Sequence, residues 1–209
     1  MMIESANPQA AANYSVIPAI VTRNDDDTDK LGRVKVRFPW MDGKQESDWI
    51  HVASPGAGKD RGLCFVPEVG DLVLIAFAYG QVDRGYVIGS LWSKADKPPA
   101  DRQKRTLRSV SGHTITLDDT KDAESISIVD KTGNNKIVID AKNNTITIES
   151  GGDLIIHAKG KLGLESDGDL AIKGKTVAIE GTSDAAVKAP TIAIDGSSGV
   201  TINSVLEVV

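Results

Sequence analysis

The chain of 209 residues has little of what builds most active sites: one cysteine, three histidines, and three each of tryptophan, tyrosine and phenylalanine. The lone Cys64 cannot form an intrachain disulfide, and its free thiol fits assembly in a reducing cytoplasm. No apolar run approaches the ~18 residues that mark a membrane-spanning helix. The opening MMIESANPQAAANY carries neither a basic stretch nor an apolar core, so no Sec signal is expected. Cationic residues are not in excess: 24 Lys and Arg against 29 Asp and Glu give a net charge of −5, with no reason to expect a nucleic-acid partner. The aromatic residues, 4% of the chain, fall before residue 93, which divides an ordinary globular first part from an aromatic-free second part.

What the second part has is a repeat. Leu154-Ile155-Ile156-His157 is followed by Leu162-Gly163-Leu164-Glu165 and Leu170-Ala171-Ile172-Lys173. Then come Val177-Ala178-Ile179-Glu180, Ile192-Ala193-Ile194-Asp195 and Val200-Thr201-Ile202-Asn203. Upstream the same phrase appears at Ile146-Thr147-Ile148-Glu149, Ile137-Val138-Ile139-Asp140, Ile126-Ser127-Ile128-Val129 and Ile115-Thr116-Leu117-Asp118. Each unit is apolar–small–apolar–polar, the period-two signature of a short strand with one buried face. Gly, Asp, Asn, Lys and Ser fill the spaces between units as turn formers. A recurring unit of about eight residues points to a stacked β-fibre and not to a catalytic pocket.

A single octad buries too little apolar surface to offset the entropy of ordering its backbone. It needs strand neighbours and a shared core. One chain could coil with three octads per turn, or three identical chains could wind together with one side each per layer. The period alone leaves both open, and the fuller burial of inner residues favours three chains. The expected needle core is Ile146, Ile148, Leu154, Ile156, Leu162, Leu164, Leu170, Ile172, Val177, Ile179, Ile192, Ile194, Val200 and Ile202.

Residues 1–14 read as a flexible arm. Residues 15–92 alternate as antiparallel β, with runs at Val16–Thr22, Gly32–Phe38, Trp49–Ala53, Asp71–Ala78 and Tyr86–Leu91. Five short strands in under 80 residues suit an OB-fold barrel. Residues 93–108 carry Lys94, Lys97, Arg102, Lys104, Arg105 and Arg108 without apolar period and read as a linker. Residues 109–209 read as the octad-repeat triple-stranded β-helix. The fold class is thus all-β: an N-terminal OB-fold barrel followed by an interwound β-helix needle.

Other chemistries are opposed by context. His157 occupies the polar fourth column shared with Glu165, Lys173, Glu180, Asp195 and Asn203, which faces solvent, so it is not expected to ligate a metal. His51 and His113 are unclustered. The carboxylate pairs Glu46 and Asp48, or Asp118 and Asp119, lie in polar turn sequence where neither acid would be desolvated for glycoside chemistry. The basic linker has no interleaved aromatics for stacking on nucleic acid, and Asp96 and Asp101 dilute it. The stretch GAGKDRG at 56–62 lacks the Gly-Lys-Ser/Thr ending of a phosphate loop. No catalytic residue, metal or cofactor is expected.

The motifs GRVKVRFPW at 32–40, SPGAGKDRGLCFVPEVGDLVLIAF at 54–77, VDRGYVIGSLW at 82–92 and SGHTITLDD at 111–119 carry a resemblance. The chain resembles the spike proteins of contractile phage tails, of the baseplate assembly protein V type. It is also similar to the central part of the valine–glycine repeat protein G of type VI secretion. The resemblance covers about residues 14–205 and implies an OB-fold barrel followed by an interwound trimeric β-helix. It implies a homotrimer that works as a structural, membrane-piercing needle in a virion tail or injection-particle baseplate, assembled in the bacterial cytoplasm. Relatives carry a large hub domain before the barrel, so the resemblance implies a separate trimeric hub protein here. Some phage relatives insert a lysozyme domain after the barrel, for which the 93–108 linker leaves no room. Short phage spikes end in an iron-binding His-x-His apex that this sequence lacks. The C-terminal Val205, Leu206, Val208 and Val209 are therefore expected to bind a tip-cap protein of the proline–alanine–alanine–arginine repeat type. The host envelope is met only transiently. The competing reading, a receptor-binding tail fibre with a β-helical stalk, would call for a ligand-binding head beyond the repeats.

Overall fold

A computed structural model describes residues 16–25, 27–43 and 45–203. The expected N-terminal arm and the tip residues Val205, Leu206, Val208 and Val209 lie outside the described residues.

The first part is a closed barrel. Its five main strands are β1 (Ile17–Arg23), β2 (Lys35–Arg37), β3 (His51–Val52), β6 (Leu72–Phe77) and β7 (Gly85–Ser90), with a small hairpin of β4 (Ala57–Gly58) and β5 (Arg61–Gly62) between the third and fourth of them. The sheet order is β2-β1-β6-β7-β3, and a Val34–Ile50 bridge joins the two ends. All main pairings are antiparallel except β3 with β7, which run parallel. This is OB topology, the fold expected from the five alternating runs.

Alternation explains the core. Ile17, Ala19 and Val21 from β1, Val34, Val36 and Phe38 around β2, Val73 and Ile75 from β6, and Val87 from β7 point inward and are buried with Ile50. Burial of these largely β-branched side chains supplies the driving force for closing the sheet. The β1–β2 connection is fixed by Asp27, whose side chain is only 6% exposed and pairs with Arg33 at 2.6 Å. The same carboxylate accepts hydrogen bonds from the Leu31 and Arg33 amides. The guanidinium beside Asp27 holds its carboxyl well below the usual carboxylate range. The β4–β5 hairpin needs Gly62: at φ +139 a Cβ there would meet the Gly56 carbonyl oxygen at 2.2 Å.

The second sheet follows in chain order: β8 (Lys104–Arg108), β9 (Thr114–Asp118), β10 (Ser125–Val129), β11 (Lys136–Asp140) and β12 (Thr145–Glu149). Each strand pairs antiparallel with the next, a plain meander. Two sequence expectations are corrected here. Residues 104–108, read as part of the linker, are a paired strand. Its cations are matched across the ladder, Lys104 to Asp118 at 3.0 Å and Arg105 to Asp119. And the first four repeats of the 109–209 segment, expected to interwind, pair with one another within the chain.

The reversals have an identifiable cause. Each of the four turns of the meander contains one residue in the left-handed region: Gly112, Asp122, Gly133 and Asn144. Gly, Asn and Asp are the residues that adopt this conformation at least cost. Side chains then lock the turns. Asp130 accepts from the Thr132 hydroxyl and from the Asn135 amide, and Asp140 accepts from the Asn143 amide.

Among the described residues, 155–203 form a separate unit. No strand is present among its described residues, 155–203. Its one backbone–backbone hydrogen bond among those residues joins the Gly199 amide to the Gly196 carbonyl. Gly199 is also the only described residue there with positive φ.

Candidate functional site: an aliphatic face without a cover

The registers of the meander align its large aliphatic residues into two rows on one face. The first row runs Leu107, Ile115, Ile128, Ile137 and Ile148, each opposite the next across the ladder. The second runs Arg105, Leu117, Ile126, Ile139 and Ile146. The opposite face carries Thr106, Thr116, Ser127, Val138 and Thr147, with the Thr106 and Thr116 hydroxyls 3.2 Å apart. A one-sided strand pattern therefore yields a one-sided sheet.

That face is uncovered. Its nine aliphatic side chains remain 41–71% exposed, whereas the inward-facing aliphatics of the barrel, such as Val36, Val73 and Ile75, are buried. Antiparallel sheets with one apolar face bury that face against another layer. A hollow of about 600 Å³ lies along the first row, bounded also by Phe65 from the barrel's long loop and by Leu154. Its lining is dominated by carbon, and it offers no array of converging polar groups.

The residues expected to form the needle core divide in two. Ile146 and Ile148 belong to β12 and lie in the two rows, and Leu154 borders the hollow. Ile156, Leu162, Leu164, Leu170, Ile172, Val177, Ile179, Ile192, Ile194, Val200 and Ile202 are not brought against one another within the chain and stay 51–77% exposed. The backbone carrying them is likewise unpaired within the chain. A polar backbone group must find a partner when buried, so these residues cannot form a core by themselves.

Sequence reasoning missed two components. Leu107 was hidden among the basic residues of the linker. The unit Ala185-Ala186-Val187-Lys188 repeats the phrase eight residues after Val177, but its alanine replaces the first large aliphatic.

The polar candidates are placed in ordinary roles. His51 stacks near Tyr86, with ring centroids 6.5 Å apart, and the His113 Nδ1 accepts the Lys131 amide at 3.2 Å. Asp118 is bound by the Thr120 hydroxyl and by Lys104, which hold its carboxyl down to about 2. Asp119 pairs with Arg105. A general acid requires the opposite shift. No group of three or more His, Cys, Asp or Glu that could hold a metal occurs among the described residues. No helix among them is long and apolar enough to cross a membrane.

Comparison with known proteins agrees with the barrel topology. Residues 17–92, the barrel, match the type VI secretion system/phage-baseplate injector OB domain. The chain is 32% identical over 117 residues to the type VI secretion system spike protein VgrG1a of Pseudomonas aeruginosa, covering 48% of this chain and 18% of that protein. It is 36% identical over 75 residues to VgrG2a of the same organism, covering 34% of this chain and 9% of the relative. It is 28% identical over 123 residues to the actin cross-linking toxin VgrG1 of Vibrio cholerae, covering 56% of this chain and 11% of the toxin. The chain thus spans less than a fifth of the length of these relatives. Its barrel matches the injector OB domain, and about half of the chain is similar to spike proteins of type VI secretion systems.

Proposed function

We propose that this chain is the central spike of a contractile injection machine: a homotrimeric needle that connects a hub to a tip and is driven through an envelope. The observation that carries the proposal is an aliphatic sheet face without a cover, continued by a β-patterned segment without backbone partners. Both deficits are met by the same partner, further copies of the chain.

Strand length supports three copies. A five-residue strand spans about 17 Å. As one side of a triangular prism, it places each sheet about 5 Å from the axis, half the ~10 Å spacing of packed sheets. Four sides would stand about 8.5 Å from the axis and leave a void that close-packed interiors do not tolerate. In the proposed needle, three meanders face inward. Beyond residue 154 the chains interwind, and each octad pairs with octads of its neighbours.

A rod whose backbone groups are paired along its length resists buckling, which suits a structural role without catalysis. The barrel would contact a separate hub protein. Val205, Leu206, Val208 and Val209 would receive a tip protein of the proline–alanine–alanine–arginine repeat type, since three copies of these residues would together offer one apolar patch. Assembly would take place in the bacterial cytoplasm, before incorporation into the baseplate of a virion or an injection particle. Multi-angle light scattering tests the central point. The expected mass is three times the 22.1 kDa of one chain, and a folded monomer would refute the proposal.

A further inference from the structure

The two aliphatic rows allow the contact between copies to be assigned residue by residue. We infer that the first row of each protomer packs against the second row of the next protomer, so that the three corners of the prism are identical head-to-tail seams. This inference rests on the homotrimer proposed above and goes beyond it by fixing which side chains meet.

The argument is geometric. Within one strand the two inward residues are separated by one outward residue, as Ile126 and Ile128 are by Ser127. They therefore lie on either side of the strand centre, one nearer each corner. Under three-fold rotation about the stacking direction, strands of equal rank stand at the same level. With sides of about 17 Å, Ile128 of one copy and Ile126 of the next then approach to roughly 5 Å between Cα atoms. Two copies of Ile128 stay roughly 10 Å apart, as do two copies of Ile126. A face-to-face pair of sheets related by a two-fold axis has no such corner, since its contact is self-complementary.

The composition of the rows agrees with a seam of this kind. The first row is aliphatic from end to end, whereas the second begins with Arg105 on the edge strand β8. At that level Leu107 of one copy would meet Arg105 of the next. Asp119 already pairs with this guanidinium, which is exposed at the rim of the sheet. Charge is thus admitted at the open end of the seam and at no other level. The aliphatic stem of Arg105 can lie along Leu107 while its head stays solvated.

Cysteine cross-linking tests the seam in the full-length protein. In a Cys64→Ser background, Ile126→Cys and Ile128→Cys are introduced separately and together, and a mild thiol oxidant is added to the native protein. Disulfides need Cα separations of roughly 4.4–6.8 Å with converging Cβ vectors. The two cysteines of one strand project side by side and do not meet this condition. The double variant is expected to run as a covalent trimer on a non-reducing denaturing gel, with both single variants running as monomers. The pair Ile137→Cys and Ile139→Cys, on β11, is expected to behave in the same way and guards against local misfolding in β10. A native trimer that yields no cross-link with either pair overturns the seam and leaves the trimer standing. Covalent dimers from the single variants, or a native mass below three chains, overturn both.

Discussion

Residues 115–149 and 154–203 are written in the same phrase, yet only the first stretch pairs with itself. Units of the first begin at Ile115, Ile126, Ile137 and Ile146, spaced 11, 11 and 9 residues apart. From Leu154 onward the spacing contracts to seven or eight, counting the unit at Ala185. The longer connections hold a reversal built on a left-handed residue, Asp122, Gly133 or Asn144. The shorter ones hold none among the described residues before Gly199. The repeat therefore dictates which side chains share a face, while the connections decide whether the partner strand comes from the same chain. Local pairing builds a sheet that lacks only a cover. Without it, the segment lacks both cover and backbone partners.

The largest effects should come from breaking the second region, which in the proposed needle depends most on other copies. Ile172→Asp would bring three carboxylates together in an apolar prism, so trimer formation should be lost. Strand signal from the meander should partly persist, because its ladders are internal to the chain. Circular dichroism together with light scattering on the variant checks both halves of that expectation.

A smaller effect should come from the turns that distinguish the first region. Asn144 sits at φ +53, which a β-branched residue tolerates poorly. Asn144→Val should cost on the order of 1–2 kcal/mol in meander stability, whereas Asn144→Gly should be close to neutral. Denaturant midpoints of the two variants give the comparison, and equal midpoints would remove the left-handed turn as the reason for self-pairing.

Acid should loosen the same turns more gently. Thr132 and Asn135 hold the Asp130 carboxyl at about 2, and Thr120 and Lys104 do the same for Asp118. Both values lie below the ordinary 3.8, so the ionised forms favour the folded turns. Their contribution is complete above about pH 4 and is lost as pH falls towards 2. Protection factors across 118–135, corrected for intrinsic exchange, should fall in that window, and Asp130→Asn should flatten the dependence. The smallest change is expected at the outward column, where Lys173→Gln should leave the mass and the melting temperature nearly unaltered.

Much of this was legible in the chain. The runs Val16–Thr22, Asp71–Ala78 and Tyr86–Leu91 anticipate β1, β6 and β7 to within a residue or two, because alternation against a closed core is a strong pattern. β8 was not legible. Three of its five residues are cationic, and what makes it a strand is the acidic partner pair Asp118 and Asp119 ten or more residues away. The period-two pattern that singled out Ile146 and Ile148 places them on one face of β12, opposite Ile139 and Ile137. The pairing of residues 104–149 within the chain was not legible, because an average period of eight conceals the difference between spacings of 11 and eight. Period two specifies a face, and it carries no information about which chain supplies the neighbouring strand.

Hydrogen exchange on the assembled full-length protein tests that distinction most directly. Amides in 155–203 have almost no acceptors within their own chain, so any protection there must be supplied by other copies. The account predicts protection in 155–203 comparable to that of 114–149 in the trimer. In the Ile172→Asp monomer, that protection should collapse while 114–149 retains its own. Rapid exchange throughout 155–203 in the native assembly would contradict the account.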